Sequence, residues 1–409
     1  MGFIVEHECP QCGAPVDLEE THRILRCPYC EVKNFLFARD MFRFILPYTA
    51  PGKDVLYAPY MRFKGVAYLC KDVTINHRIV DITRLGTPFT VLPLSLGFRP
   101  QTLKMRFITP HDNSSFLASA VTGEDILNAV GQHTSAFVSA RFYHRAYIGE
   151  VLSLIYLPLY VEKNTLYDAV THECITSLPD GQTHFDSAVA ENPRWQISFI
   201  ATMCPNCGWD LDGDRDSVVL TCGNCNSAWE ASDGRLVPVN CKTVIGGKDK
   251  TIYLPFWKIN ATSIQELGFV TYADYIRTTN QPRVIQQEWG HREMSFWVPA
   301  FKIRPRIFLH LSKHMTLAQK DFETEEELPT VNAYPVTLPL SEAIQSMKIT
   351  LADSIMNKRT CFPLLPQVDL TIGETTLLYI PFHETGYEII QEQMCVSVNK
   401  KALEFGRLL

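Results

Sequence analysis

Runs of aromatic and β-branched residues recur along the chain, and most of them predict strands. Four of these runs contain the pattern Tyr-x-Pro, at residues 57–59, 156–158, 253–255 and 379–381. Proline has no amide N–H, so a strand tolerates it only at an edge, an end or a bulge. We therefore expect these four strands to lie at the borders of sheets, where pairing stops.

A helical spacing follows Pro305, where apolar residues stand at every fourth position from Ile307 to Met315. Proline suits the first position of a helix, so a short amphipathic helix is predicted there, and Pro100 marks a similar start. Further helices are expected to begin near Thr122 and near Ser341, because both starts carry an acidic residue in the first turn.

These patterns occur twice in the same order. Residues 57–63 match residues 253–259 at an offset of 196, Pro100 matches Pro305 at an offset of 205, and residues 154–160 match residues 377–383 at an offset of 223. The order and the slowly growing offset indicate a tandem duplication. We expect an α+β fold, mostly antiparallel β, in which each repeat contains a β-rich domain with short helices. The second repeat carries the insertions, one of them at residues 321–335.

Eight of the 13 cysteines form four CxxC pairs in two sets. In each set 14 residues separate the two pairs, and each cysteine of the second set lies 195 positions after its counterpart. Two such pairs can converge on one ion, and four thiolates suit zinc because they leave no position open for a substrate. Two zinc ions per chain are therefore predicted, with the ligands Cys9, Cys12, Cys27 and Cys30 for one and Cys204, Cys207, Cys222 and Cys225 for the other.

The residues beside these cysteines agree with metal binding. Gly13 and Gly208 follow the second cysteine of the first pair in each set, where the backbone often needs a positive φ. Residues 17–20 and 210–213 are expected to be hairpin turns, followed by short strands that end at Leu25 and Leu220.

The motifs resemble the zinc ribbon family, a rubredoxin-like fold of two metal-binding knuckles on a small antiparallel sheet. The resemblance covers about residues 5–35 and 200–232. It implies one metal for each set of four cysteines. We therefore expect a zinc ribbon at residues 1–36, an α+β domain at 37–195, a second ribbon at 196–233 and a second α+β domain at 234–409.

Two alternatives for the eight cysteines stay open at this point. One is free buried thiols or disulfides. The other is iron with electron transfer, because the same four-sulfur geometry accepts iron as in rubredoxin. Zinc without electron transfer is the interpretation that we carry forward.

Composition bears on location and size. The 409 residues, 46% of them hydrophobic, suffice for two or three domains with sizeable cores. The N-terminus shows neither a basic segment nor an apolar segment of a secretory signal, and the longest apolar stretch, residues 151–161, is too short to cross a bilayer. Thiols that bind zinc fit a reducing compartment, so we expect a cytoplasmic protein without a membrane span.

Charge argues against nucleic acid as a partner. Residues 5–35 carry six acidic and three basic residues, and residues 200–232 carry five and one. A zinc ion held by four thiolates adds about −2 to each ribbon, and the whole chain has a net charge of −6. Phosphate binding requires clustered lysine and arginine, whereas the segment from Lys302 to Arg306 is basic but short.

The candidates for catalysis are weak. His310 and His314 lie one helical turn apart, but zinc catalysis needs a third protein ligand, and none is evident. His172-Glu173 and His383-Glu384 stand at non-equivalent repeat positions. The four aspartates between Asp210 and Asp216 lack the glycine and glutamate of a calcium loop, so a solvated turn is expected. Cys174 and Cys395 alternate with apolar neighbours, which is typical of buried strand cysteines.

The remaining function is protein binding. The six tryptophans all lie at or after the junction of the repeats, and tryptophan is common at interface hot spots. Trp257 and Trp297 are expected in the core, whereas Trp209 and Trp229 flank the second metal site and at least one of them is expected to be exposed. We therefore expect a non-catalytic scaffold or adaptor that binds other protein subunits. An enzyme or electron carrier with an unmarked cleft between the repeats is the alternative.

Overall fold

The computed structural model describes residues 2–112, 115–122, 125–128, 142–178, 185–186, 189–190, 195–232, 234–247, 250–329 and 331–407. The protein is mostly β, with 43% strand against 18% helix and mostly antiparallel sheets, which confirms a β-rich α+β class. It divides into two compact units. Unit one comprises Met1–Lys64, Val80–His133 and Glu150–Ala201, and unit two comprises Gly65–Ile79, Thr134–Gly149 and Thr202–Leu409. The division into four segments at residues 36, 195 and 233 stays a prediction.

The chain up to Ala201 forms short strands around three long ones. Its described elements are β1 (Ile4–Glu8), β2 (Pro15–Glu19), β3 (Ile24–Arg26), β4 (Lys33–Phe37), β5 (Phe42–Ile45), β6 (Val55–Lys71), β7 (Thr74–Leu85), α1 (Arg99–Thr102), β8 (Lys104–Phe107), β9 (Ser115–Leu117), β10 (Phe142–Glu162), β11 (Thr165–Asp168), β12 (Cys174–Ser177), β13 (Val189–Ala190) and β14 (Ser198–Ala201).

One large sheet contains most of these strands. Among the described residues its order is β13-β9-β6-β10-β5-β8-β1-β2, with β7 beside β6, β11 beside β10, and β12 beside β11. β5 runs parallel to β10, with Ile45 opposite Tyr156. Strands β3, β4 and β14 form a separate small sheet. Val55–Lys71 is buried along nearly its whole length, which suits a central strand covered on both faces.

The chain after Ala201 contains the longer helices. Its described elements are β15 (Val219–Cys222), β16 (Ser227–Ser232), β17 (Arg235–Val239), β18 (Cys241–Val244), β19 (Thr251–Thr262), α2 (Tyr272–Thr278), β20 (Ser295–Pro299), α3 (Pro305–Ala318), β21 (Thr324–Glu325), α4 (Leu340–Ser354), α5 (Lys358–Cys361), β22 (Thr371–Thr385), β23 (Glu388–Gln391), β24 (Val396–Asn399) and α6 (Lys400–Gly406), with short 3-10 helices at Gln287–Gly290 and Phe362–Gln367.

The second large sheet has the order β20-β19-β22-β18-β21, with β23 beside β22 and β24 beside β23. Helices α3 and α4 pack against β20 and against each other. Trp257 and Trp297 are each 1% exposed, as expected for core residues. The Trp257 indole N–H donates to the carbonyl of Leu338 at 3.0 Å, so burying this ring leaves no polar group unpaired.

The Tyr-x-Pro strands border neither large sheet, and the prediction was wrong: among the described residues β6 and β10 lie inside the first sheet, as β19 and β22 lie inside the second. β19 and β22 are central strands that pair with each other, with Tyr253 opposite Pro381 and Pro255 opposite Tyr379. The Tyr253 amide donates instead to Asn332, away from β22. The Tyr253–Pro381 pair is therefore a position of the antiparallel ladder that exchanges no hydrogen bonds. A proline there removes no bond from the ladder between the two strands.

The helix predictions are confirmed where the structure describes them. α3 begins at Pro305 and buries Leu311 and Met315, and α4 begins at Leu340, one residue before the predicted start. Near Thr122 the described residues 125–128 are helical, and residues 123 and 124 lie outside the described residues. Among the described residues, none of the helices combines the length and the apolar composition that crossing a bilayer requires.

Candidate metal centres

The four CxxC pairs adopt the same backbone turn. In each turn the residue four positions after the first cysteine has a positive φ: 72° at Gly13, 60° at Glu31, 73° at Gly208 and 51° at Asn226. The amide of this residue donates to the carbonyl of the first cysteine, from Gly13 to Cys9 at 2.9 Å, from Glu31 to Cys27 at 3.0 Å and from Gly208 to Cys204 at 2.8 Å. The left-handed residue turns the chain back, so that both sulfurs of a pair face one point. The positive φ predicted for the two glycines is confirmed.

Each set of four cysteines converges in space. The four sulfur atoms of each set lie within 4.8 Å of one another, and all eight thiols are free of disulfide bonds. Sulfur–sulfur distances within the sets are 3.7 Å for Cys9–Cys30, 3.6 Å for Cys12–Cys27, 3.6 Å for Cys204–Cys225 and 3.5 Å for Cys207–Cys222. A zinc–sulfur bond of about 2.3 Å gives a tetrahedral edge of about 3.8 Å. Both sets can therefore hold a metal ion with little movement.

Burial at the two sites follows one pattern. The first cysteine of each pair is buried, at 3% for Cys9, 1% for Cys27, 2% for Cys204 and 0% for Cys222, while Cys12 and Cys207 are exposed. Each ion would therefore lie at the surface between two turns, with one side against protein. With four protein ligands the coordination is complete, and this arrangement is typical of structural rather than catalytic sites.

Backbone amides favour the thiolate form that binds metal. The N–H of Cys30 and then that of Tyr29 lower the pKa of the Cys27 thiol to about 6, although burial opposes the shift. The Tyr29 amide lies 3.4 Å from this sulfur. These amide donors stabilise the negative charge on the Cys27 sulfur, which favours the thiolate that binds metal at this one ligand.

The second site has a supporting side chain that the first site lacks. The Ser227 hydroxyl lies 3.1 Å from the Cys225 sulfur and 3.5 Å from the Cys204 sulfur, and it accepts the indole N–H of Trp229 at 2.8 Å. The corresponding position in the first site is Val32, which has no polar side chain. Such outer contacts orient metal ligands. Sequence spacing missed this role because serine two residues after a cysteine is unremarkable alone.

The strands between the turns differ from prediction. Residues 17–19 belong to β2, paired with β1, so the first hairpin turn does not lie there. In the second set Asp210 bridges Met203 and Asp212 bridges Thr221. After the first CxxC turn of both cysteine sets the chain keeps pairing, because alternate residues such as Leu18 and Leu211 are buried. The strands at Leu25 and Leu220 are present as β3 and β15.

The other candidate ligands do not form a third site. The rings of His310 and His314 lie 4.1 Å apart, yet the described residues contain no group of three metal donors besides the two cysteine sets. Among the aspartates, Asp214 and Asp216 form ion pairs with Arg407. His172 contacts the Thr49 hydroxyl, and His383 contacts that of Thr251.

Cys174 and Cys395 are exposed, so the prediction of buried strand cysteines was wrong. Cys174 begins β12, which within the described chain pairs only with β11 and therefore lies at an edge. Cys395 has a φ of 54° and precedes β24, so it belongs to the turn between two strands. Cys174 is therefore exposed at the edge of a sheet, and Cys395 is exposed in a turn.

The two tryptophans beside the second site have different environments. Trp229 is half-buried and bonded to Ser227, whereas Trp209 is 62% exposed. The carbonyl of Trp209 accepts the amide of Cys204 at 2.7 Å, so its backbone is part of the metal-binding turn. The expectation that at least one of the two is exposed is confirmed.

Comparison of the chain with protein-family models, with curated proteins and with solved structures finds no match. The geometry of the two cysteine sets therefore carries the functional argument, and the zinc ribbon assignment stays a proposal.

Proposed function

We propose that this chain is a non-catalytic scaffold or adaptor protein. Its two cysteine sets hold zinc ions, and its second ribbon presents a surface to other protein subunits in a reducing, cytoplasmic compartment. The observation that carries the proposal is the exposed Trp209 on the turn between Cys207 and β15.

Trp209 has the properties of an interface anchor. A large ring that is 62% exposed loses apolar contact with water when a partner covers it. Its backbone is held by the Cys204 amide and lies beside Gly208, whose φ is 73°. A turn that a metal ion holds in place loses little conformational entropy on binding, which favours affinity. Met203, 55% exposed, adds a second apolar side chain on the same ribbon.

Charge and site chemistry support protein rather than nucleic acid or a small substrate. Residues 200–232 carry five acidic residues and one basic residue, which disfavours contact with phosphate. A cavity of about 980 Å³ in unit one is lined by Asp81, but this carboxylate is already bound by Arg62 at 2.9 Å. Among the described residues that line this cavity, Asp81 is the only carboxylic acid, and none is a histidine, cysteine or lysine.

Replacing Trp209 with glutamate should weaken binding of the partner at least about 30-fold, because tryptophan hot spots contribute about 2 kcal/mol or more. The partner is first identified by co-purification at native expression, and its dissociation constant is then measured with purified proteins. Zinc content should not change, since the indole is not a ligand.

Tyr387→Glu is the matched control. Tyr387 is 82% exposed and lies outside both cysteine sets, so the same kind of change there should leave the affinity intact. Equal loss in both variants, or no loss with Trp209→Glu, would contradict the proposed surface. Tight and salt-sensitive binding of DNA or RNA would contradict the proposed class of partner.

We also propose that the chain arose by tandem duplication. The strand order β7-β6-β10-β5-β8 of the first sheet has the counterpart β20-β19-β22-β18-β21 in the second, and β11-β12 corresponds to β23-β24. Helices α1 and α3 occupy the same place in this order. The strand directions agree as well, because β5 runs parallel to β10 and β18 runs parallel to β22.

Matching hydrogen bonds add support at the residue level. The Gly86 amide donates to the carbonyl of Pro59 at 2.8 Å, and that of Ala300 donates to the carbonyl of Pro255 at 3.0 Å. In turn Gly86 accepts from Ala120 at 2.8 Å, as Ala300 accepts from Thr337 at 3.0 Å. Tyr57 and Tyr253 both pair in parallel with a later residue, Phe116 and Ala333 respectively.

Hydrogen exchange tests this equivalence. The amides of Gly86 and Ala300 should both be strongly protected, as should those of Ala120 and Thr337, since each donates a backbone hydrogen bond. The exposed amide of Gly386 serves as an unprotected reference. Protection of one member of each pair without the other would argue that the two halves use their matched motifs differently.

A further inference from the structure

A groove in unit two combines apolar walls with two exposed arginines. Its volume is about 670 Å³, and Ile79, Pro305, Ile307 and Phe405 supply the apolar surface. Ile79 is 52% exposed and Phe405 is 50% exposed, so both side chains present apolar area to solvent. Apolar area concentrated in a concave site is typical of binding surfaces rather than of ordinary surface.

The polar residues of the groove are cationic or neutral. Arg304 and Arg306 are exposed at the start of α3 and line the groove together with His77. Neither arginine forms an ion pair with any described residue, and no aspartate or glutamate lines the groove. The first turn of α3 also contains no acidic residue, which leaves the positive end of the helix dipole uncompensated. The groove is therefore locally positive on a chain whose net charge is −6.

The wall formed by Phe405 is held in a fixed position. Gly406 packs so closely on the segment before α3 that a Cβ there would lie 2.5 Å from the carbonyl oxygen of Lys302. The Tyr334 hydroxyl donates to the Leu403 carbonyl at 2.8 Å, which fixes the same helix from another side. Arg407 then donates to Asp216 of the second ribbon at 2.8 Å. The groove is therefore preorganised and continuous with the ribbon that carries Trp209.

We propose that this groove binds an acidic segment of a partner protein. An aromatic or aliphatic side chain of the segment lies between Ile79, Ile307 and Phe405, and its carboxylates pair with Arg304 and Arg306. Arginine can donate two hydrogen bonds to one carboxylate, so the contact is directional as well as electrostatic. The inference rests on the proposed protein-binding function and specifies the chemistry of the partner.

Two features favour a peptide over other anions. A free phosphate has no apolar part, so it would leave the four apolar walls exposed to water. A nucleic acid follows a long basic surface, whereas here two arginines stand on an acidic chain. An acidic segment with an apolar anchor matches both parts of the groove.

The test uses the full-length protein and a short fluorescein-labelled peptide of alternating acidic and large apolar residues. Fluorescence anisotropy should show binding that weakens as salt rises, because part of the attraction is electrostatic. Two related peptides, one with asparagine and glutamine for the acids and one with alanine for the apolar residues, should bind at least about tenfold more weakly.

Arg304→Glu combined with Arg306→Glu should lower the affinity for the acidic peptide at least about tenfold, and Phe405→Ala should lower it separately. Arg39→Glu combined with Arg359→Glu is the matched control, since these exposed arginines lie outside the groove and the net charge changes equally. Circular dichroism and zinc content confirm that each variant folds. Equal loss in both double variants would assign the binding to net charge and overturn the proposal.

Competition separates the other ligands. Inorganic phosphate or a single-stranded oligonucleotide that displaces the peptide at low concentration would overturn the assignment to an acidic segment. Trp209→Glu should bind the peptide with unchanged affinity. The proposed binding surface at Trp209 and the proposed binding groove can therefore be contradicted independently of each other. Absence of peptide binding by the folded wild-type protein would overturn the groove proposal alone.

Discussion

Replacing Cys204 with serine should remove one of two bound zinc ions and unfold the second ribbon. Metal binding contributes folding free energy directly, about 10–16 kcal/mol in zinc-finger peptides, which is comparable with the whole stability of a domain, about 5–15 kcal/mol. The Cys204 sulfur is buried and lies 3.6 Å from that of Cys225, so a hydroxyl there weakens the site at its centre. Metal analysis, thermal unfolding and protease sensitivity of residues 202–239 measure the effect.

Three comparisons make this result specific. Cys9→Ser should act on the first ribbon in the same way, and Cys395→Ser should have no effect because this exposed thiol lies outside both sets. The wild-type protein should contain two zinc ions and be colourless. One metal equivalent per chain, or the visible absorption of an iron–thiolate centre, would argue against two structural zinc sites. So would unchanged unfolding of the Cys204 variant.

Replacing Arg62 with methionine should destabilise the protein by about 3–5 kcal/mol, the usual cost of breaking a buried ion pair. Arg62 is fully buried, and its guanidinium donates to both carboxylate oxygens of Asp81 at 2.9 Å. It also forms an ion pair with Glu20, whose side chain is 1% exposed. Without the arginine, Lys64, at 3.8 Å, is the one cationic partner that Glu20 keeps among the described residues.

The effect is measured by denaturant unfolding, with Arg39→Met as control. Arg39 is exposed, and its replacement should change the free energy of unfolding by less than about 0.5 kcal/mol. Combining Arg62→Met with Glu20→Gln should restore part of the loss, because the buried charge is then removed on both sides. Strictly additive losses would show that the pair is not coupled.

This network also connects the first ribbon to the long strand β6. Glu20 directly follows β2, whereas Arg62 lies within β6. Burial lowers the pKa of the neighbouring Lys64 ammonium, and the positive charge of Arg62 lowers it further. Two cations in one buried site require the carboxylates of Glu20 and Asp81, so loss of any member disturbs the others.

Several features could be predicted because they depend on short stretches of chain. The spacing of Cys9 and Cys12, with Gly13 after them, limits the backbone to a turn that aims both sulfurs at one point, and the structure contains that turn. Within a helix, proline is tolerated in the first turn, and α3 begins at Pro305. In each case the covalent geometry excludes most alternatives before any tertiary contact forms.

Other features depend on residues far apart, and local patterns could not place them. The prolines at 255 and 381 were expected at borders, but pairing between β19 and β22 placed them at positions that exchange no hydrogen bond. The sequence of either strand does not specify its partner. The pairing of a strand with its neighbours decides which of its side chains are buried. The exposed Cys174 is an example, because the sequence of its strand did not reveal that pairing.

The sequence alone determined the two metal-binding groups, the starts of the main helices and a chain rich in strands, because these follow from residue spacing and from proline and glycine stereochemistry. Tertiary structure alone decided the exposure of Trp209, the contact of Ser227 with two ligand sulfurs, the buried position of Arg62 and the groove of Ile79, Arg304 and Phe405. Each of these features depends on how distant parts of the chain pack together, and therefore on the free energy of the whole fold.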